Sequence, residues 1–421
     1  MIVKMYDMNY GESILYREAE NRLLVDCGAK YGKKANFVDN ILEDIRDNKC
    51  QLLITHFDED HYNGIIQPSM QIKFDKIYLP KYTIKNGEVV GTYSIFEDAV
   101  RSWTYLTAAG KKKKLSMLHS FFVKLPLLVD EKLTDICCLG NGDNFMLGKK
   151  IVNILWPEEN YEKRKKLYAD EIIDCLKVES NDDMIDGFVE KANEYVEKFM
   201  NIYKAFCNNN SNNYDQLVQI TINDFYELNN IYSELMVILS RLKINLNNSI
   251  RKRLTAISSN IIRNMNECSI VFEIEDDVLA FGDVTPRVIK FLNKNAALSH
   301  MNYKIIKVQH HGTDAYWSEE LPNAGYYLIS NSGDYNVKWS ISEKYCLKYS
   351  GKIVCTNDNL NRCKYYKITA HCNRCNVDFK HSSICIDCEN KKLVESMFNT
   401  YINKLYSIQR KDSTNGRKRE C

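Results

Sequence analysis

With 421 residues, 45% of them hydrophobic and 27% charged, the chain is long enough for two or three domains, or for one α/β core carrying insertions. Its formal net charge of +2 supplies no global pull toward nucleic acid. No apolar run approaches the ~20 residues of a membrane-spanning helix. Met1 to Val25 reads as structured strand rather than as an export signal, so a cytoplasmic location is expected, with the 15 cysteines as reduced thiols or metal ligands.

In chain order, MIVKMYDM and SILYRE alternate as two strands around MNYGES, where Gly11 permits a tight turn, and this hairpin needs no functional explanation. NRLLVDCG forms the next strand and ends at Asp26, with Gly28 as the breaker. Asn36 to Asn48 has helical spacing, with Phe37, Ile41, Leu42 and Ile45 on one face. It leads into QLLITHFDEDHYNG, an apolar strand followed at once by His56, Asp58, Asp60 and His61. In extended chain alternate side chains share a face, so His56, Asp58 and Asp60 converge and His61 opens the next element. Imidazole with carboxylate is the ligand set of zinc, manganese or iron sites that keep positions open for water.

KIYLP is a further strand, and Tyr93 to Leu128 is expected as mainly helical, with Lys111 to Lys114 as a solvated helix end. GDNFMLGKKIVNILWP returns to strand around Gly148. Residues 158–264 are polar and helical, broken at CNNNSNN, with a stripe of Phe225, Leu228, Ile231, Leu235 and Ile238 that reads as helix-helix core. We expect this insertion to cap or flank a site or to mediate association. SIVFEIEDDVLAFGDVT gives two strands ending at Asp283 and then a helix begun by Pro286. KIIKVQHHGT is another strand, terminating at His310 and His311. Three strand ends thus carry ligand-type residues, the arrangement of an α/β site, and Asp283 has two oxygens with which to bridge two cations.

The C-terminal region holds a separate signal. Cys372-x₂-Cys375 and Cys385-x₂-Cys388 have the spacing of two zinc knuckles, with His371, His381 or Cys363 as substitutes for one thiol, and one structural zinc is expected there. An amphipathic helix over 391–408 and a basic tail are expected beyond it. The domains are accordingly 1–157 and 265–355 as two parts of one α/β domain, 158–264 as the helical insertion, and 356–421 as the cysteine-rich module with its helix and tail.

The order of motifs resembles the metallo-β-lactamase fold superfamily and is most similar to the hydrolase domain of the ComEC competence family. The segments that carry it are YDMNYGES, LLVDCG, THFDEDHYNG, GDNFMLG with ILWP, NECSIVFEIEDDVLAFGDVT and KVQHHGT, over residues 1–80, 140–157 and 265–355. Asp58 stands where the superfamily signature commonly has histidine, as in the ComEC branch. The resemblance implies an α/β fold of αββα sandwich type, here with the helical insertion and the small zinc module. It implies that His56 and Asp58 serve a first metal site and Asp60 and His61 a second, that Asp283 bridges them, and that His310 or His311 completes the second. Asp26 would orient ligands from beneath. Two departures stand out: His119 lies in a Lys-rich helical stretch rather than at a strand end, and SGDYNVKWS lacks the superfamily's late histidine. One-ion chemistry therefore stays open beside two-ion chemistry.

The implied cofactors are one or two divalent ions, zinc or manganese, at the strand ends, with magnesium also suited to a carboxylate-rich set. A bound ion that lowers the pKa of its water from about 15.7 to about 7 implies a hydrolase using activated hydroxide, with Asp60 and Asp283 as catalytic residues. A phosphodiesterase or nuclease acting on nucleic acid or a nucleotide is the favoured expectation. Hydrolysis of a lactone, thioester or peptide, and a regulatory protein that binds without turnover, are the alternatives. No membrane partner is expected. A protein partner or a second copy would dock through the helical insertion or the C-terminal module.

Overall fold

The computed structural model describes residues 1–8, 11–29, 37–46, 49–82, 117–130, 132–158, 168–177, 182–209, 220–241, 248–275, 277–295, 298, 302–331, 341–349, 352–356, 384–389 and 392–394. The expected helix over 93–116 with its lysine run, the segment 332–340, Cys372 and Cys375, and the basic tail lie outside these residues.

Two mixed sheets form the frame. In the first, β1 (Ile2–Met5), β2 (Ile14–Glu18) and β3 (Asn21–Val25) make an antiparallel meander, and β4 (Cys50–Leu53), β5 (Lys76–Pro80) and β6 (Ile136–Leu139) add to it in parallel. In the second, β7 (Asn144–Leu147), β8 (Lys150–Trp156), β9 (Val271–Ile274) and β10 (Val278–Phe281) run antiparallel. To these β11 (Asn302–Lys307), β12 (Asn323–Ile329) and β13 (Ile353–Cys355) add in parallel. Each sheet is thus a meander continued by parallel strands. In this scheme β3 corresponds to β10 and β4 to β11, so Asp26 and Asp283 come after equivalent strands, as do residues 56–61 and the pair His310 and His311.

Packing reflects side-chain alternation. Tyr16, Leu23, Val25 and Leu53 of the first sheet meet Val152, Ile154, Phe272, Val278 and Ile305 of the second in one apolar core between the sheets. The intervening residues Leu15, Leu24 and Leu52 face the other way, into a second core shared with helices. Strands buried on both faces must be apolar at successive positions, which is why these segments read as continuous hydrophobic runs.

The outer helices of the first sheet are α1 (Asp39–Ile45), α2 (Glu59–Tyr62), α3 (Met117–Lys124) and the four helices of the insertion. Those four are α4 (Tyr168–Lys177), α5 (Asp182–Asn208), α6 (Ile222–Arg241) and α7 (Asn248–Glu267). α5 packs on β6 and on α6, and α4 packs on α7. The stripe of Phe225, Leu228, Ile231 and Leu235 lies in the core beneath them, while Ile238 packs at its margin. The second sheet is covered by α8 (Pro286–Lys294) and α9 (Glu343–Lys348), whose Val288, Ile289 and Tyr345 meet Leu279, Ile306 and Tyr327. Among the described residues no helix is long and apolar enough to cross a membrane.

The C-terminal segment departs from the expectation of a separate module. β14 (Ile384–Asp387) pairs antiparallel with β1, Ile2 opposite Asp387 and Met5 opposite Ile384, and β15 (Lys392–Val394) pairs with β14. Lys392–Val394 is therefore strand where the helix over 391–408 was expected. Cys388 lies in the inter-sheet core, and burial pushes its thiol up to about 12. Cys385 lies toward the opposite side, near Lys4 and Asp44.

Candidate metal centre

The site forms where β3, β4, β10 and β11 end. Asp26 leaves β3 with φ of 56°, and His310 and His311 have φ of 43° and 54°. Asp and His tolerate this left-handed region better than most residues, yet each such residue stores about 1–2 kcal/mol of strain. Three of the expected site residues thus hold backbone conformations that only surrounding structure can impose. Gly28 shows how tightly the chain is folded there: a β-carbon on it would lie 2.1 Å from the carbonyl oxygen of Asp60.

His61 is the central residue. Its side chain is fully buried, and Nδ1 lies 2.8 Å from Asp26 Oδ2. Asp26 also accepts from Thr55 N at 2.7 Å and from Thr55 Oγ1 at 2.8 Å, so both of its oxygens are engaged. An acceptor at Nδ1 fixes the proton there and leaves Nε2 to face the site. Nε2 lies 3.4 Å from Asp283 Oδ2, and His56 Nε2 lies 3.9 Å from the same oxygen. His56, His61 and Asp283 present donor atoms that all lie within 4.8 Å of one another, and so do Asp60, His61 and His311. His56 Nε2, His61 Nε2 and Asp283 Oδ1 are buried and make no hydrogen bond among the described residues. Buried polar atoms are ordinarily satisfied, so convergent atoms of this kind fit a cation.

Electrostatics agree with that arrangement. Burial works against a charge on His61, but Asp283 and Asp26 outweigh it and hold the imidazole well above its usual range. Burial likewise opposes ionisation of Asp283, and His310 and His61 outweigh it, keeping the carboxyl well below the usual carboxylate range. His311 is raised against burial by Asp60. A cation would take over the role these protons play.

The remaining expected residues take distinct positions. Asp58 precedes α2, half-buried, with Oδ2 3.8 Å from His56 Nε2. His311 lies 3.6 Å from Asp60 Oδ2 through Nε2, and its Nδ1 lies 3.0 Å from the Ser330 carbonyl. His310 turns elsewhere: Nδ1 is 2.7 Å from Asp283 Oδ2, and the ring stacks on Tyr316 at 3.6 Å. Of the pair, His311 belongs to a three-donor group and His310 does not. His119 lies in the helical layer, stacked on Tyr232 and bonded to Tyr195 and Asn229, and burial lowers it to about 4. It is a packing residue of α3.

Several site neighbours have no counterpart among the residues expected from the sequence. Thr55 anchors Asp26, and Asn266, at the end of α7, lies 3.3 Å from His310 Nδ1 and 3.2 Å from Tyr316 Oη. With its amide turned so that nitrogen faces Asp58 Oδ2 at 3.2 Å, Asn266 accepts from Tyr316. Helix α7 therefore reaches the edge of the site through its last turn, at a residue just past the 158–264 insertion. The turn between β1 and β2, expected as a plain hairpin, carries Glu12 to within 4.8 Å of Asp26 and His61 donors. Its one legible signal is an acidic residue placed directly after a glycine turn. Comparison of the chain with protein-family models and with curated proteins finds no match to either.

Proposed function

We propose that the chain is a metal-dependent hydrolase of the metallo-β-lactamase type, acting on a phosphodiester. The observation that carries this is the buried convergence of His56 Nε2, His61 Nε2 and Asp283, beside Asp60 and His311, with nitrogen and oxygen atoms left unsatisfied. The ComEC-like motifs add the phosphodiester preference. His56, His61 and Asp283 would hold one divalent ion, and both donor groups draw on His61 Nε2 because Nδ1 is committed to Asp26. That sharing favours one fully liganded ion over two.

When bound, a divalent cation supplies Lewis-acid polarisation and a lowered pKa for water, to about 7. The chain supplies the rest. Asp26 fixes the His61 tautomer, and Thr55 fixes Asp26. Asp58, half-buried beside His56, accepts a proton from the attacking water. His310 is oriented through Nδ1 by Asp283 and by stacking on Tyr316, and with both ring nitrogens protonated it would give the Nε2 proton to the departing ester oxygen.

The test is turnover of a chromogenic phosphodiester and of single- and double-stranded DNA with Mn²⁺, Zn²⁺ and Mg²⁺, using His61→Ala as control. Hydrolysis lost in the control supports the assignment. Wild-type protein inert toward all three substrates while calorimetry shows its site filled would transfer the function to another ester or amide, or to binding without turnover.

A further inference from the structure

Lys307 ends β11 three residues before His310, and its Nζ is ion-paired with a carboxylate oxygen of Glu12, both side chains being 1% exposed. Burying two full charges is unfavourable, and an apolar pair of similar volume is often as stable, so stability is a weak reason for the pair. Its position supplies a stronger one. The Glu12 N–H donates to the Asp60 carbonyl at 3.1 Å, and the Glu12 carbonyl accepts from Gly28 N at 3.0 Å. Glu12 is thereby fixed to the segment that carries Asp60 and His61, and its carboxylate lies beside Asp26 and His61. Lys307 belongs to the other sheet, on the strand that delivers His310 and His311. Two neighbouring bonds run nearby: Ser330 Oγ donates to the Gly11 carbonyl at 2.6 Å, and Asn331 Nδ2 donates to the His311 carbonyl at 3.0 Å.

Resting on the metal assignment of the site, we infer that Glu12 and Lys307 are a positioning pair: their buried contact fixes the span between first-sheet donors and second-sheet donors, and so sets cation affinity. The donors His56, Asp60 and His61 move with Glu12, and Asp283 and His311, which follow the paired strands β10 and β11, move with Lys307. A cation needs both halves within a few tenths of an ångström of their coordination distances.

The experiment is calorimetric titration of the full chain with Mn²⁺, a cation that thiols bind poorly, alongside thermal unfolding. The variants are Glu12→Asp, which keeps both charges but shortens the reach of the carboxylate by one methylene, and the double change Glu12→Gln with Lys307→Met, which removes both charges. Both variants are expected to unfold cooperatively and to bind Mn²⁺ roughly 10- to 100-fold more weakly, the range for groups that orient metal ligands. His61→Ala, binding no Mn²⁺, identifies the titrated site. A folded variant with wild-type affinity and only a lowered melting temperature would overturn the inference and leave the pair structural, as would failure of both variants to fold. Wild-type protein that binds neither Mn²⁺ nor Zn²⁺ at this site would remove the metal assignment itself and the inference with it.

Discussion

Replacing Asp26 by asparagine should weaken cation binding from a position that touches no cation. Asparagine tolerates the φ of 56° that Asp26 adopts, so the backbone is kept and only the hydrogen bonding changes. If the amide oxygen faces Thr55 Oγ1 and His61 Nδ1, the amide nitrogen must face Thr55 N, a donor against a donor at 2.7 Å. One charge-assisted bond is lost and one buried donor is left unsatisfied, a destabilisation of about 3 kcal/mol. Cation affinity should fall roughly 10- to 100-fold because a neutral amide oxygen, strained by the Thr55 clash, holds the His61 ring less firmly than a carboxylate does. A second effect opposes the first: without the Asp26 charge the His61 imidazole holds its proton less tightly, which favours a competing cation. The affinity deficit should therefore grow as pH rises and proton competition fades. Asp26→Ala should lose a further ~1 kcal/mol, since a β-carbon residue without a polar side chain is strained at positive φ. Denaturant melts of cation-free protein and Mn²⁺ calorimetry at three pH values read both quantities. Wild-type affinity in Asp26→Asn at every pH would refute the orienting role.

Four other outcomes are expected. Asp283→Ala should abolish Mn²⁺ binding and phosphodiester hydrolysis while circular dichroism stays native, because His56 and His61 lose the carboxylate they share. Cation affinity should rise about tenfold per pH unit below the raised His61 pKa, since one proton must leave Nε2 for each ion bound; proton release measured in buffers of different ionisation enthalpy checks this, and a pH-independent affinity would contradict it. Stability runs the other way in cation-free protein: the folded His61 pKa exceeds the unfolded one, so its contribution is complete below about pH 6.5 and is lost as pH rises through the folded value. Cys388→Ser should lower stability by roughly 1–3 kcal/mol through a hydroxyl in the inter-sheet core without changing zinc content by elemental analysis. Loss of one zinc equivalent would instead show Cys388 to be a ligand.

Much of the site is legible in the sequence because its signals are local: an apolar run fixes a strand, and the residues directly after that run lie at the strand's end. His56, Asp58, Asp60, His61, Asp283 and the pair His310 and His311 are readable in that way. The hidden features depend on contacts between distant segments. The pairing of β14 with β1 joins segments far apart in the sequence, and a strand of four residues carries too short a pattern to announce its partners. Glu12 is hidden because a hairpin turn explains glycine and serine without reference to the strand across from it, and Lys307 because a lysine in an alternating strand reads as solvent-facing. The division of His310 from His311 rests on distant partners, Asp283 and Tyr316 for the one and Asp60 and Ser330 for the other, that adjacent histidines do not announce.

Gly28 is the residue in which local and long-range constraints meet. As a strand breaker it is readable from the sequence, yet its φ is not in the positive region, so turn geometry does not explain why glycine is needed. The close approach does: a β-carbon would lie 2.1 Å from Asp60 O and 2.5 Å from His61 N, both of them backbone atoms with no side-chain freedom to yield. Gly28→Ala must therefore push the Asp60–His61 segment outward by about an ångström or more, given normal contact distances of about 3.5 Å. A shift of that size separates His61 from Asp26 and Asp283 together. We expect Mn²⁺ binding to be lost in Gly28→Ala although no donor has been altered. Gly187→Ala, in α5 where a β-carbon meets nothing within 4 Å, is the matched control and should be neutral or stabilising by roughly 0.5–1 kcal/mol. Retained Mn²⁺ affinity in Gly28→Ala would mean that Asp60 and His61 do not need their close packing on the β3 end to hold the ion.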